Sequence, residues 1–258
     1  MDLELHDQVA FIAGSSRGIG KAIARRFLRE GARVVISGRE ETALAQCETE
    51  LASDFPAARI MQVKGDLTQL PAIREALAQV RERWGRLDAL VANIGSGRGD
   101  PGWQIDPATW AQAFETNFHS AVRIATEALE PMLAAKGGSI VVVSSIAGVE
   151  ASPAPLPYSS AKAALIAFTK NLARQVAGSG VRINVVAPGN ILFEGGSWAP
   201  HLETRRDEVL KYIAGEVPMQ RFGTPEEIAD LAVFLSSARA SFITGGCFVA
   251  DGGQTRTF

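Results

Sequence analysis

The chain is poor in the residues that build metal sites and disulfide frameworks. Its 258 residues include only two cysteines and three histidines. Cys47 and Cys247 stand alone and far apart, so the sequence indicates neither a disulfide framework nor a thiolate metal site. His6, His119 and His201 lack the spacing of a metal-binding motif. We therefore expect no metal centre.

An excess of one charge and long apolar runs are also missing. The 26 Lys and Arg residues nearly balance the 28 Asp and Glu residues, which gives a formal net charge of -2. No electrostatic field then favours nucleic acid or anionic lipid, so neither is expected as a partner. No apolar run approaches the roughly 18 residues of a membrane span, and no secretory signal pattern opens the chain. These absences predict a cytoplasmic protein that does not enter a membrane.

Hydrophobic residues make up 47% of the chain and follow a regular alternation of short and long segments. Short β-branched runs predict strands at residues 9–13, 33–37, 59–63, 87–93, 139–144, 181–187 and 247–250. Apolar residues at helical spacing predict helices at 19–30, 41–52, 71–84, 107–136, 159–177 and 225–237. This alternation is typical of α/β proteins whose parallel sheet is covered on both faces. We predict one domain over residues 1–258, with a Rossmann-like, doubly wound sheet of seven parallel strands.

Two segments interrupt the alternation. Residues 95–102 are rich in glycine, and residues 190–222 combine glycines with a charged helical patch. Each follows a predicted strand, and ligands of doubly wound sheets bind beyond the carboxyl ends of the strands. We interpret residues 190–222 as a substrate lid, with a plain surface excursion as the alternative.

A glycine-rich turn follows the first predicted strand and leads directly into a helix. Glycines permit a tight turn and let the backbone approach a diphosphate, which the free N–H groups at the start of the helix can bind. A glycine-rich turn without a ligand is the alternative. The pattern favours a dinucleotide site. Its residues are Gly14, Ser16, Arg17, Gly18, Ile19 and Gly20.

The end of the second predicted strand bears on which dinucleotide binds. An acidic residue there would accept hydrogen bonds from a ribose 2'-hydroxyl, but the chain has Ser37 and Arg39, with no carboxylate before Glu40. Arg39 and Arg17 are placed to meet a 2'-phosphate, because guanidinium groups suit phosphate oxygens. The alternative is that both arginines are ordinary charged residues at the surface. We favour NADP(H) over NAD(H).

Ser145 and a Tyr–Lys pair follow the fifth predicted strand. Tyr158 and Lys162 are four residues apart, so they lie on one face of a helix. An ammonium close to a phenol lowers the phenol pKa from its reference value of about 10. Tyr158 is therefore predicted to act as an acid or base on a substrate oxygen. An ordinary amphipathic pair is the alternative.

Together these motifs resemble the single-domain branch of the short-chain dehydrogenase/reductase family, with the overall pattern of 3-oxoacyl reductases. The resemblance spans essentially the whole chain. It rests on Gly14, Gly18, Gly20, Asp66-Leu67, Ala92-Asn93-Ile94-Gly95, Asn117, Ser145, Tyr158, Lys162, Asn184, Pro188-Gly189 and Asp251-Gly252-Gly253.

The resemblance implies a role for each matching position. Ser145 would hydrogen-bond the substrate oxygen, and Tyr158 would be the acid or base. Lys162 would bind the nicotinamide ribose, and Asn117 would hold the water of a proton relay at a helix kink. The remaining cofactor contacts implied are Asp66 and Leu67 for adenine, Asn93 and Gly95 for the adjoining ribose, and Pro188, Gly189 and Ile191 for nicotinamide.

The chain departs from the family pattern after Pro188-Gly189. A Thr that contacts the cofactor is usual there, whereas this chain reads Asn190-Ile191-Leu192-Phe193. The aromatic side chains nearby are candidates either for an apolar substrate pocket or for a core that anchors the lid. They are Trp103, Phe193 and Trp198.

The resemblance further implies a carbonyl or alcohol oxidoreductase with a small-molecule substrate, assembled as a homotetramer. Two other functions stay open: an NAD-dependent sugar or polyol dehydrogenase, and a dinucleotide-binding regulator that has lost catalysis. The second is disfavoured because Asn117, Ser145, Tyr158 and Lys162 are all present.

Overall fold

Seven parallel strands form one sheet in the order β3-β2-β1-β4-β5-β6-β7. The computed structural model describes residues 1–99 and 102–257, so part of the glycine-rich segment 95–102 and the last residue of the predicted domain lie outside the described residues. The strands are β1 (Val9–Ala13), β2 (Arg33–Gly38), β3 (Ile60–Lys64), β4 (Ala89–Ala92), β5 (Gly138–Val143), β6 (Val181–Pro188) and β7 (Cys247–Ala250).

Helices connect the strands and cover both faces of the sheet. They are α1 (Gly18–Arg29), α2 (Glu41–Ala52), α3 (Leu70–Trp84), α4 (Pro107–Phe114), α5 (Ser120–Ala134), α6 (Leu156–Val176), α7 (Ala199–Thr204), α8 (Arg206–Glu216) and α9 (Pro225–Ser236). One core layer packs α1, α2 and α9 against the sheet, through side chains such as Phe27 and Ile228. The other packs α3, α5 and α6, through Ile73, Ile124 and Leu165. The predicted doubly wound fold is confirmed.

The strand order places a crevice at the centre of the sheet. β1 pairs with β2 on one side and with β4 on the other, in registers such as Ala10 opposite Val34 and opposite Ala89. The chain therefore winds outward in opposite directions on the two sides of β1. In doubly wound sheets, ligands bind beyond the carboxyl ends of the strands at this reversal.

The predicted helix at 107–136 is wrong in one respect, because the structure breaks it into two. A π-helical turn at Glu115–His119 separates α4 from α5. Within and beside the turn, side chains compete for helix carbonyl groups: Asn117 Nδ2 donates to the Ala113 oxygen at 3.0 Å, and Ser120 Oγ donates to the Thr116 oxygen at 2.6 Å. Such bulges displace side chains from regular helical positions and are frequent at functional sites.

The segment at 190–222 contains the two short helices α7 and α8 and is tied back to the domain at both ends. Ile191 and Gly223 form a parallel bridge. Gly223 N–H donates to the Asn190 carbonyl at 2.9 Å, and Leu192 N–H donates to the Gly223 carbonyl at 3.0 Å. In the described ranges 1–99 and 102–257, no helix is both long and apolar enough to cross a bilayer.

Arg182 on β6 is expected to be important for stability, because its guanidinium binds the end of α9. Nη1 donates to the Leu235 carbonyl at 2.7 Å, and Nη2 donates to the Ser237 carbonyl at 2.9 Å. Arg182→Met removes three donated hydrogen bonds, so the free energy of unfolding should fall by about 3 kcal/mol, although the Leu235 and Ser237 carbonyls keep bonds from Ser139 Oγ and Ala240 N–H. Urea denaturation measures the loss. Arg29→Met, at an exposed position on α1, is the control and should change stability by less than about 0.5 kcal/mol; equal effects of the two substitutions would contradict this role.

Candidate active site

A cleft of about 450 Å³ lies at the carboxyl ends of the strands. It gathers most of the residues predicted for the site, although they come from many separate loops. The predicted residues that line it are Gly14, Ser16, Arg17, Ile19, Ser37, Arg39, Asp66, Leu67, Asn93, Gly95, Ser145, Tyr158, Lys162, Pro188, Gly189 and Ile191. Gly18, Gly20 and Asn117 lie close by but are not part of its wall.

Gly20 permits the tight packing of the turn. A Cβ atom on Gly20 would lie 2.3 Å from the Gly14 carbonyl oxygen and 2.8 Å from Asn93 Nδ2. Asn93 Nδ2 donates to that same oxygen at 3.0 Å, which joins the end of β4 to the turn after β1. Gly20 and Asn93 therefore act on the shape of the turn.

Hydrogen bonds made by Ser15 and Ser37 fix the backbone of the glycine-rich turn. Ser15 Oγ donates to the Ile12 carbonyl at 2.7 Å and accepts from Ser37 N–H at 2.8 Å. Ser37 Oγ accepts from Gly14 N–H at 3.0 Å. Ser37 is fully buried, so its hydroxyl supports the turn from within although the residue borders the cleft. Ser15 was not singled out in the sequence, because its role depends on contacts with β1 and β2.

The backbone at the start of α1 suits a diphosphate. The helical ladder begins with Lys21 N–H bonding to the Arg17 carbonyl at 3.2 Å, so the amides of residues 18–20 precede it at the helix N-terminus. Such amides, together with the positive end of the helix dipole, bind phosphate oxygens. The residues present therefore fit a dinucleotide.

The two arginines predicted for a 2'-phosphate differ in their surroundings. Arg17 Nη1 donates to the Gly195 carbonyl at 3.1 Å, which directs this side chain towards the segment after β6. Arg39 is exposed at the end of β2 and lines the cleft. Nearby, Lys64 pairs with Glu41 at 2.7 Å and lowers the pKa of that carboxyl group. The one acidic side chain in the cleft wall as described is Asp66.

Phe193 lies against the glycine-rich turn, at the place where the family pattern usually has a small polar residue. A Cβ atom on Gly18 would lie 2.4 Å from the Phe193 ring, and one on Gly196 would lie 3.1 Å from it. The ring therefore packs between two glycines and covers Gly18 on the side of the cleft. Phe193 and Trp198 both line the cleft, whereas Trp103 is 77% exposed and does not.

The reacting group is built where β5 meets α6. Helix α6 begins at Leu156 with Pro157 in its first turn, which suits the fixed backbone angle of proline. Lys162 Nζ lies 5.8 Å from the centroid of the Tyr158 ring and donates to the Val143 carbonyl at 2.9 Å. Ser145 adjoins them at the end of β5, and its hydroxyl accepts from the Ala147 N–H at 3.2 Å.

Two residues that sequence reasoning missed hold α6 in place. Ser144 Oγ donates to the Lys162 carbonyl at 2.8 Å. A Cβ atom on Gly148 would lie 2.5 Å from the Lys162 carbonyl carbon, so the loop after β5 approaches the helix backbone closely. In the sequence, the position of Ser144 next to Ser145 is a weak indication of this role. Nothing in the local sequence distinguishes Gly148 from an ordinary turn glycine.

The lowering of the Tyr158 pKa, expected from Lys162 together with an oxidised nicotinamide, stays a prediction, and Lys162 alone does not produce it. Burial raises the pKa of Tyr158, and the neighbouring Ser145 side chain only partly opposes this. Lys162 is 3% exposed, and burial lowers its own pKa to about 8. The physical reason is the position of the ammonium, which donates to the Val143 carbonyl and lies over the tyrosine ring.

Asn117 lies behind the cleft wall, next to the lysine. A Cβ atom on Gly95 would be 3.0 Å from both Asn117 Oδ1 and Lys162 Nζ, which places Gly95 between them. Asn117 Oδ1 accepts from Ser96 N–H at 2.8 Å, and the π-helical turn carries the side chain to this position. Gly97, in the same segment, packs against the Tyr158 ring.

The cleft, with Tyr158 and the buried Lys162 in its wall, defines the class of protein, an oxidoreductase that uses a dinucleotide. A family model described as Enoyl-(Acyl carrier protein) reductase matches residues 13–255. The chain belongs to the short-chain dehydrogenase/reductase family, and it is an NAD(P)-dependent oxidoreductase acting on CH–OH or C=O groups of small molecules.

Known proteins resemble the chain over its whole length. The 3-oxoacyl-[acyl-carrier-protein] reductase FabG of Chlamydia muridarum is 34% identical over 257 residues, covering 98% of this chain and 100% of that protein. FabG of Escherichia coli is 32% identical over 252 residues, covering 98% and 99%. The structure of L-sorbose reductase from Gluconobacter frateurii, complexed with NADPH and L-sorbose, matches with a TM-score of 0.94 at 32% identity and covers 100% of both chains.

Burial of Lys162 should make the stability of the protein depend on pH. Folding lowers the lysine pKa from 10.5 to about 8, so the unfolded chain binds more protons between these pH values. The free energy of unfolding contributed by this group therefore rises with pH from about 8 to 10.5, by about 3 kcal/mol in all. Lys162→Met should be more stable than the native protein at pH 7, and the difference should shrink as the pH rises. Urea denaturation between pH 7 and 10.5 measures it.

Lys211→Met, at an exposed position on α8, is the matched control for that titration. Its stability relative to the native protein should stay constant across the same pH range. If the difference in stability between Lys162→Met and the native protein were also constant with pH, the buried ammonium would not be the cause of the pH dependence.

Proposed function

We propose that the protein is an NADP(H)-dependent carbonyl reductase whose substrate carries its C=O group on an apolar chain or ring, as in a 3-oxoacyl compound or a ketone. The observation that carries the proposal is the pairing of Tyr158 with the buried Lys162, beside Ser145, in the wall of the glycine-lined cleft. Three apolar side chains in the same wall support the substrate class. They are Ile191, Phe193 and Trp198.

In this mechanism the substrate oxygen binds between the hydroxyl groups of Ser145 and Tyr158. The bound dinucleotide supplies the hydride. Tyr158 then donates its proton to the oxygen as negative charge develops there. The raised pKa of Tyr158 suits this step, since the phenol stays protonated near neutral pH and is ready to donate. Alcohol oxidation needs the deprotonated phenol and is therefore expected to become faster as the pH rises.

The other residues of the site position ligands and protons. Lys162 would donate to the hydroxyl groups of a nicotinamide ribose, which would add acceptors to the Val143 carbonyl that its ammonium already has. Asn117 holds the water through which Tyr158 is reprotonated. The glycine-rich turn binds the diphosphate, and Asp66 and Asn93 lie on the adenosine side.

A preference for NADP(H) rests on the end of β2. Arg39 borders the cleft there, and the residue that would bind a 2'-hydroxyl is not acidic. Arg17, in the turn after β1, adds a second positive charge to the cleft wall. The similar L-sorbose reductase structure was solved with NADPH.

A sugar or polyol dehydrogenase is the second candidate. The observation that favours it is the structural match to L-sorbose reductase, at a TM-score of 0.94. Ser96 and Ser197 in the cleft wall would serve sugar hydroxyl groups. A screen of ketones, acyl thioesters and sugar alcohols, followed by NADPH absorbance, separates the two candidates.

We also propose that residues 190–222 close over the substrate and that four chains assemble. Exposed apolar side chains on and near the edge strand β7 support an assembly: Phe242 is fully exposed, and Val249 is 40% exposed. A cytoplasmic location stays a prediction.

Tyr158→Phe tests the proposed chemistry. The ring and its packing remain and only the proton donor is lost, so kcat should fall at least about 1000-fold. The Kd for NADPH, measured by fluorescence titration, should change less than about twofold. A near-normal turnover number in this variant would refute the role of Tyr158.

Arg39→Ala tests the cofactor preference. Loss of a guanidinium–phosphate contact should raise the Kd for NADPH by about 10- to 100-fold and leave the Kd for NADH nearly unchanged. Arg29→Ala, an exposed arginine at the end of α1 and outside the cleft wall, is the matched control. Equal effects of Arg39→Ala on both cofactors would contradict recognition of the 2'-phosphate.

A further inference from the structure

Trp198 forms part of the cleft wall and is held by other aromatic side chains. Its ring stacks on Tyr212 of α8, with centroids 5.6 Å apart and planes at 26°. It also meets Phe222 edge-on at 5.4 Å. Trp198 lines the same cleft as Ser145 and Tyr158, so the orientation of its ring shapes the space available to a ligand there.

Gln254, which lies outside the cleft wall, reaches Tyr212 from the opposite side. Gln254 Nε2 donates to the Tyr212 hydroxyl oxygen at 3.2 Å, and Gln254 Oε1 accepts from Asn190 Nδ2 at 2.7 Å. One half-buried amide thus links the start of the 190–222 segment to helix α8.

The residues that follow Gln254 are hydrogen-bonded to other parts of the domain. Thr255 N–H donates to Asp251 Oδ2 at 2.7 Å, and Arg256 N–H donates to Glu150 Oε2 at 3.0 Å. Glu150 belongs to the loop that follows Ser145. Gln254 is therefore fixed relative to the loop that carries the reacting groups.

The hydrogen bond from Gln254 to Tyr212 has no equivalent elsewhere on α7 and α8. Across the part of the chain that the structure describes, it is the one side-chain hydrogen bond that joins α7 or α8 to the rest of the molecule, and no ion pair does so. The remaining contacts are apolar, through Val209, Ile213 and the aromatic cluster around Trp198. Apolar packing is non-directional, so the position of the Tyr212 ring depends strongly on this hydrogen bond.

We propose that Gln254 is a positioning residue: through the Tyr212 hydroxyl it fixes the Trp198 ring as the substrate-facing wall of the cleft. The inference rests on the proposed carbonyl reductase function for its effect on catalysis. Gln254 does not border the cleft, so its loss should weaken substrate binding and leave the chemical step intact. The expected signature is a raised KM with an unchanged kcat.

Four variants test the link: Gln254→Ala, Tyr212→Phe, the double variant, and Gln254→Glu. Tyr212→Phe keeps the stacked ring and removes only the hydroxyl group. Gln254→Glu keeps acceptors for both the Asn190 amide and the Tyr212 hydroxyl, so it should restore native behaviour. Gln46→Ala, an exposed glutamine on α2, is the matched control.

The first measurement is hydrogen exchange of residues 198–216 in the free protein, which needs no substrate. Exchange should accelerate about fivefold in Gln254→Ala and in Tyr212→Phe, and the double variant should show no further increase over Gln254→Ala, because both changes break the same bond. Native exchange in Gln254→Ala, or fully additive effects in the double variant, would overturn the proposal.

The second measurement uses the N-acetylcysteamine thioester of 3-oxobutanoate with NADPH. KM should rise about three- to tenfold in Gln254→Ala and Tyr212→Phe, with kcat and the Kd for NADPH within about twofold of native values. A loss of kcat with unchanged KM would overturn the positioning role. If the native protein reduces no carbonyl compound, the proposed function fails, while the exchange experiment still decides the link between Gln254 and Tyr212.

Discussion

The burial of the Lys162 ammonium is the constraint on which the site depends. A charge with 3% exposure is expensive to hold, and the acceptor that the described structure provides is one carbonyl group, that of Val143. Ser144 and Gly148 hold the α6 backbone at Lys162 close to the loop after β5, which keeps the base of the side chain in place. The packing thus maintains an ammonium with unused donors at the wall of a cleft, ready for an oxygen-rich ligand.

The same burial explains why the Tyr158 pKa is raised. In water an ammonium one helical turn away would favour the phenolate, but here desolvation acts on both groups and opposes charge on each. The phenol therefore stays neutral and the lysine titrates near pH 8. A neutral phenol is a proton donor, which suits reduction of a carbonyl group more directly than oxidation of an alcohol.

Most of the fold and much of the cleft could be predicted because they depend on local patterns. Near-continuous apolar runs such as β5 identify buried parallel strands, and Gly14, Gly18 and Gly20 identify the turn at the start of α1. The resemblance implied a kink at Asn117 but not its form, because the π-helical turn arises when side chains capture helix carbonyl groups that a sequence pattern assigns to the backbone. Ser15, Gly148 and the directions of both pKa shifts depend on contacts between segments far apart in the chain.

The two halves of the cleft are held by different kinds of interaction, and this difference separates chemistry from specificity. Hydrogen bonds and close backbone approaches fix the turn after β1 and the end of β5, so the cofactor side and the reacting groups are rigid. Helices α7 and α8 themselves are held by aromatic stacking and, among the described residues, by one side-chain hydrogen bond to the rest of the molecule. Aromatic surfaces tolerate many replacements, whereas the buried Tyr–Lys pair tolerates few. In a fold arranged in this way, substitutions in the segment with α7 and α8 can alter which substrate binds, while the proton donor Tyr158 stays in place.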